Sequence, residues 1–168
     1  MKREIINRVA NSSLISIDLG DYAPKIQILE LDIKQFLHEG LILKETVFRK
    51  TLKEFDFSIY NKKVVALFCS SDAIVPMWAY MLATSYLNRV SSKIYFGNKK
   101  DVFQDIFKKN INEIVSSEFE GQKIIIKGCG HIPLSESLYI AITEKLQPVV
   151  GSLMFGEACS AVPVFKKK

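Results

Sequence analysis

The chain is poor in cysteine, histidine and tryptophan, and it has no long hydrophobic run. Its 168 residues hold three cysteines, two histidines and one tryptophan. No apolar stretch approaches the roughly 18 residues that a membrane-spanning helix needs, so no spanning helix is expected. The opening MKREIINRVANSS lacks the apolar segment of a secretory signal. An odd cysteine count without such a signal argues for free thiols in a reducing compartment, and so for a cytoplasmic protein. Motifs of short spacing are missing too. There is no Cys-x-x-Cys pair and no ferredoxin-type cysteine run. Gly97-Asn98-Lys99-Lys100 and Gly128-Cys129-Gly130 make neither a P-loop nor a dinucleotide fingerprint. No cysteine-hydrolase signature surrounds any of the thiols, so no catalytic residue is assigned.

Low-complexity linkers are also absent, and residues 1–168 read as one domain with a substantial core. An apolar fraction of 48% with 24% charged residues suits a globular protein. The net charge of +5 gathers at the ends, in Lys2 and Arg3 and in Lys166, Lys167 and Lys168. That distribution reads as solubility rather than as a nucleic-acid face.

What is present is alternation. Residues 4–10 predict a short helix. Residues 14–19 and 26–31 alternate apolar and polar side chains around Gly20, Asp21 and Pro24, which predicts an N-terminal hairpin. Residues 44–55 predict a helix with Val47, Phe48 and Leu52 inward. Residues 64–68 are continuously apolar, as in a strand covered on both faces. A mostly apolar helix over 77–90 should be well buried, with Trp78 in the core. A strand at 94–96 and an amphipathic helix at 99–109 follow. Next come a strand at 123–128, a helix at 135–147, a strand at 152–155 and an edge strand at 162–165. Strands alternating with helices predict an α/β fold, a largely parallel sheet flanked by helices.

Part of this pattern occurs twice. Lys63 and Lys123 each lead an apolar run, to Cys69 and Cys129 respectively, 60 residues apart. Tyr80 then matches Tyr139, Thr84 matches Thr143 and Leu87 matches Leu146, all 59 apart. Val90 and Val149, Phe96 and Phe155, and Gly97 and Gly156 keep that spacing. We read an internally duplicated strand–helix–strand unit, 62–97 and 122–156.

Each cysteine follows a predicted strand and precedes a proline: Cys69 before Pro76, Cys129 before Pro133, Cys159 before Pro163. Open α/β sheets bind ligands beyond the strand C-terminal ends, so topology puts all three thiols on one such edge. Rigid loops that present thiols suit a thiolate metal site. Cys69, Cys129 and Cys159 with His131 could complete a Cys₃His zinc site. The three cysteines alone could hold a four-iron cluster with one iron open. Two other readings stand beside this. The cysteines could be buried packing residues of a non-catalytic interaction protein. One of them, Cys69 or Cys159, could be a reactive thiol with His131 as base. Glu157, in the Cys159 loop, is a further candidate acid or ligand.

Several segments together resemble a family of small bacterial proteins, domain of unknown function 2480. They are EIINRVANSSL at 4–14, DIKQFLHEGLILKE at 32–45 and CSSDAIVPMWAYML at 69–82, with IIIKGC at 124–129 and KLQPVVGSLMFGEACSAVP at 145–163. The resemblance spans essentially the whole chain. It implies that the family cysteines map to Cys69, Cys129 and Cys159, without a firm histidine at 131. It also implies iron–sulfur assembly proteins as partners, because such genes neighbour those of the family. The expectation is therefore a metal- or iron–sulfur-binding protein, an accessory of cluster assembly.

Overall fold

The computed structural model describes residues 14–128, 130 and 132–168. The helix expected at 4–10, and the side chains of Cys129 and His131, lie outside the described residues. The first elements are β1 (Leu14–Asp18), β2 (Ile28–Asp32), α1 (Glu45–Glu54), β3 (Val64–Phe68) and α2 (Met77–Leu87). Then come β4 (Lys93–Phe96), α3 (Lys99–Asn112), β5 (Lys123–Lys127), α4 (Glu136–Leu146), β6 (Ser152–Phe155) and β7 (Val162–Lys166). Short 3₁₀ turns occupy Leu19–Tyr22, Ile33–Phe36, Phe57–Tyr60 and Ser116–Phe119. This is the α/β alternation read from the sequence, and the parallel pairings dominate. The strands form two sheets, not one, and the chain forms two compact units. A continuous unit covers Lys25–Asp105, and a split unit joins the residues up to Pro24 with Ile106–Lys168.

In the continuous unit the strand order is β2-β3-β4, all parallel, with Ile28 beside Val64 and Val64 beside Lys93. The middle strand β3 reads VVALF and is buried through Val64–Leu67, because a central parallel strand is covered on both faces. In α1 Phe48 and Leu52 stand one turn apart and are fully buried. Val47 points to solvent instead of inward, since one residue turns the helix by about 100°. Along α2 the buried positions are Ala79, Ala83 and Leu87. Small alanines let a helix lie close to its neighbours. The helix is not buried around most of its circumference as expected, because Met77 is 74% and Met81 72% exposed. A helix on one face of a sheet buries a stripe, whatever the apolarity of its other side. Trp78 joins the core as expected. It stands edge-on to Phe48 at 5.7 Å, and Phe48 meets Phe36 at 6.1 Å. Each such buried aromatic contributes about 1.5–3 kcal/mol of apolar burial.

In the split unit the order is β1-β5-β6-β7; β7 lies at the edge, as the sequence suggested, and it runs antiparallel to β6. The three isoleucines of β5 are buried. So are Leu138, Ile142 and Leu146 of α4, at four-residue spacing. Between Leu153 and Met154 the β6–β7 register slips, next to Pro163. Proline has no N–H to donate and is accommodated at such an edge.

The expected N-terminal hairpin does not form. β1 pairs with β5 and β2 with β3, each in parallel and in different sheets. Period-two alternation reports a half-buried strand but not its partner. The linking residues do not make a hairpin turn either. β1 ends in Asp18, whose carboxylate accepts from Gly20 N–H at 2.8 Å and starts a 3₁₀ turn. β2 ends the same way, with Asp32 accepting from Lys34 N–H at 2.9 Å.

The two units share a local backbone at a constant spacing of 59 residues. Lys62 N–H donates to Val90 O at 2.8 Å, and Gly121 N–H to Val149 O at 2.9 Å. Gly97 N–H donates to Leu67 O at 3.1 Å, and Gly156 N–H to Ile126 O at 3.0 Å. Lys62 has φ 56° and Gly121 φ 68°. That left-handed turn is free of strain for glycine and costs a side-chain-bearing lysine about 1 kcal/mol or more.

Candidate functional site

The candidate site residues sit where the parallel strands end. In the continuous unit, Asp32 closes β2 and Cys69 follows β3. Asp32 accepts the N–H of Ser70 at 3.0 Å and its hydroxyl at 2.5 Å, besides Lys34 N–H. Desolvation raises the carboxyl pKa, but the Ser70 and Lys34 hydrogen bonds and the Lys34 charge outweigh it, so the group lies below the ordinary carboxylate range. Cys69 is half-buried, and its thiol donates to Ser71 O at 3.7 Å. It lines a cavity of about 470 Å³ with Ser71, Val75, Met77, Tyr80 and Phe96. Tyr80 meets Phe96 edge-on at 5.7 Å. The Tyr80 hydroxyl pKa is raised, first by desolvation and then by the neighbouring Cys69 and Asp32 charges.

No side chain caps the start of α2. The capping position is Pro76, with no side-chain hydrogen bond. Gly97-Asn98-Lys99-Lys100 serves as a helix start: Asn98 Oδ1 accepts from Lys100 and Asp101 N–H, and Glu30 Oε1 from Lys99 N–H at 2.8 Å. Carboxylate and amide oxygens already fill that helix N-terminus, where a phosphate would bind.

In the split unit, Cys129 follows β5 in sequence by two residues and Cys159 follows β6 by four. Cys159 is a free, exposed thiol. Glu157, in the same loop, is held in an ion pair with Lys127 Nζ at 2.7 Å. Behind these loops Tyr139 meets Phe155 edge-on at 5.6 Å, over an apolar cavity of about 440 Å³. Ile126, Leu153, Val162 and Val164 also line it. Gly128 is required there, since a Cβ would collide with the Tyr139 hydroxyl and press on Leu134. The close backbone approach thus falls on the residue before Cys129.

The thiols are thus not gathered on one sheet edge. Cys69 ends a strand of the three-stranded sheet, while Cys129 and Cys159 follow neighbouring strands of the four-stranded sheet. Alternation of strands and helices specifies parallel pairing but not the number of sheets. Nor are Cys69 and Cys129 matched in the 59-residue spacing: the partner of Cys129 is Ser70, and that of Cys69 is Gly128. Cys69 is half-buried against the core of its unit, and Cys159 is exposed. Among the described residues no three His, Cys, Asp or Glu side chains are placed to hold one metal ion. The aromatic pairs Tyr80–Phe96 and Tyr139–Phe155 were not singled out as site residues from the sequence. Their recurrence at a spacing of 59 residues was the available signal.

Fold and strand ends together define an α/β protein of parallel sheets with free thiols in its strand-end loops. The chain belongs to the family described as "Protein of unknown function (DUF2480)", whose model matches residues 3–167. No curated protein and no solved structure matches the chain significantly. Among the described residues no helix is long and apolar enough to cross a membrane.

Proposed function

We propose that the chain binds zinc or an iron–sulfur cluster through cysteine thiolates at its strand ends, as a cytoplasmic accessory of cluster assembly or maintenance. One observation carries the proposal: β5 and β6 are parallel neighbours, and the loop after each bears a cysteine. Parallel neighbours end on the same side, so Cys129 and Cys159 are the central ligand pair. His131, two residues beyond Cys129, is the nitrogen ligand of the zinc version. The cluster version rests on the same pair of thiolates. The free state of Cys69 and Cys159 supports ligand chemistry, because a thiolate must be available to a metal. The shared 59-residue backbone supports an origin of the two units by duplication, with the thiols added to the loops separately in each.

The test is metal and acid-labile sulfide analysis of anaerobically purified protein, with its visible spectrum. About four irons per chain and a broad charge-transfer band establish the cluster. About one zinc without colour establishes the zinc version, and His131→Ala should then release it. Cys129→Ser and Cys159→Ser should each abolish binding. Retention of full metal by the Cys129→Ser/Cys159→Ser double variant refutes the proposal, as does metal-free protein that stays so after reconstitution.

A second reading, an interaction protein, rests on a separate observation. Met77, Met81 and Phe96 of the continuous unit are large apolar side chains left exposed.

A further inference from the structure

We infer that the Lys127–Glu157 ion pair is a clamp that brings the Cys129 and Cys159 loops together, which makes both charged groups positioning residues of the thiolate pair. The inference rests on the reading of those two cysteines as the central ligands. Each charged residue precedes its cysteine by two positions, Lys127 before Cys129 and Glu157 before Cys159. Their side chains meet at 2.7 Å.

The contact sits where the backbone ladder ends. The register of β5 and β6 runs to Ile126 beside Phe155. Gly156 N–H adds one more bond, to Ile126 O at 3.0 Å. Gly156 then turns the chain with φ 108°, a left-handed value that suits glycine. One residue further on, Lys127 and Glu157 carry the tie between the two segments through their side chains.

Glu157 does this at the foot of a tight turn. Its carbonyl accepts the N–H of Ser160 at 2.9 Å, which puts Ala158 and Cys159 at the two central positions of a four-residue turn. Cys159 is exposed there. Holding the Glu157 carboxylate therefore holds the foot of the turn that presents the thiol. On the other side, Lys127 is the last residue of β5, and Gly128 lies close against Tyr139. An ion pair whose side chains are 28% and 52% exposed adds little to stability. Its use is in position, because ligands arranged before the metal arrives bind it better.

Neutralisation separates a clamp from a lysine that acts on the thiolates by its charge alone. Without Glu157 such a lysine would be free to act more strongly, so Glu157→Gln would make the thiols more reactive. A clamp loses by neutralisation of either partner.

The test treats the reduced, metal-free full chain with dibromobimane, which alkylates two neighbouring thiols with one molecule, and follows the bridged peptides by mass spectrometry. Bound zinc and iron are measured on the same variants before metal removal. The expected result is a Cys129–Cys159 bridge. Lys127→Gln and Glu157→Gln should each slow its formation about two- to fivefold. Lys127→Glu should slow it more, and Lys127→Glu with Glu157→Lys should recover it. Alkylation of Cys69, in the other unit, should not change. Denaturation midpoints report whether each variant is folded. If Lys127→Gln unfolds the chain, Glu157→Gln decides alone. The inference is overturned if the two thiols are not bridged, if folded variants bridge as the unaltered chain does, or if Glu157→Gln bridges faster. Bridging that follows the pattern without metal uptake leaves the clamp and removes the metal reading. Metal uptake with unaltered bridging in the variants does the reverse.

Discussion

At the C-terminal end of β6, the Tyr139–Phe155 pair is closed in by β7, and Leu153 beneath it is 1% exposed. At the matching end of β4, the Tyr80–Phe96 pair keeps nearly the same edge-on geometry, with β3 the one strand paired to β4 among the described residues. The same local backbone therefore carries two different surroundings. The aromatic contact is made by a helix and a strand close in sequence, so it survives either way. What lies beyond the matched strand is a separate choice, made in one unit by residues 156–168, which include β7, and left open in the other among the described residues. The thiols diverge in the same manner: Cys69 sits where the split unit has Gly128.

The largest expected effect comes from the aromatic core that only the continuous unit is seen to build. Phe48→Ala should cost about 3–5 kcal/mol in chemical denaturation, since Phe48 is fully buried between Phe36 and Trp78. Hydrogen exchange should report the loss first at β2, β3 and β4. Equal loosening of β1 and β5 would show that the core is not local to its unit.

Removing β7 should make the β6 edge resemble the β4 edge. Truncation before Ala161 uncovers Leu153 and one wall of the 440 Å³ cavity. The expected cost is about 2–4 kcal/mol, with faster exchange at β6 amides and unchanged exchange at β4.

Exchanging the residues before the helix loops is a smaller perturbation. Gly128→Ala should cost about 1–3 kcal/mol, because the new Cβ drives the Tyr139 ring away from Phe155. Cys69→Ala at the matching position should cost less, since a side chain already fits there. Near-ultraviolet circular dichroism or aromatic NMR shifts of Tyr139 distinguish ring displacement from general unfolding.

The smallest effect concerns acid. Asp32 has a lowered pKa because its anion is hydrogen-bonded by Ser70 and Lys34, against the opposing desolvation. A lowered folded value means that its contribution is complete above the ordinary carboxyl pKa of about 3.9. It is lost as the pH falls through the folded value. Asp32→Asn should therefore flatten the acid limb of the stability curve as the pH falls below the ordinary carboxyl range. An unchanged limb would show that the Ser70 contact does not persist in solution.

Much of the fold was legible in the sequence. The edge strand β7 and the strands β3 to β6 were placed within a residue or two, because apolar runs bounded by charged or turn residues are local signals. Matching aromatic identities announced the shared helix–strand units. Val47 and the methionines of α2 were misassigned for one reason: apolarity records what a side chain tolerates, while burial depends on how many faces the neighbours cover. Of the candidate site, the positions of the thiols at strand ends were readable. Their distribution over two sheets was not. Glu157, readable as a free acid, is paired with Lys127, a partner thirty residues away in sequence.

By itself, the amino-acid order determined which of the described segments from β3 onward are strands and helices, and that the pairing would be largely parallel. These follow from side-chain periodicity and turn chemistry within a few residues. Only the tertiary structure decided that β1 and β2 join different sheets, that Cys69 is parted in topology from Cys129 and Cys159, and that β6 gains a covering strand while β4 does not. Those choices rest on pairings between distant segments. Backbone N–H and C=O groups are the same in every residue, so nothing in a strand's own sequence names its partner.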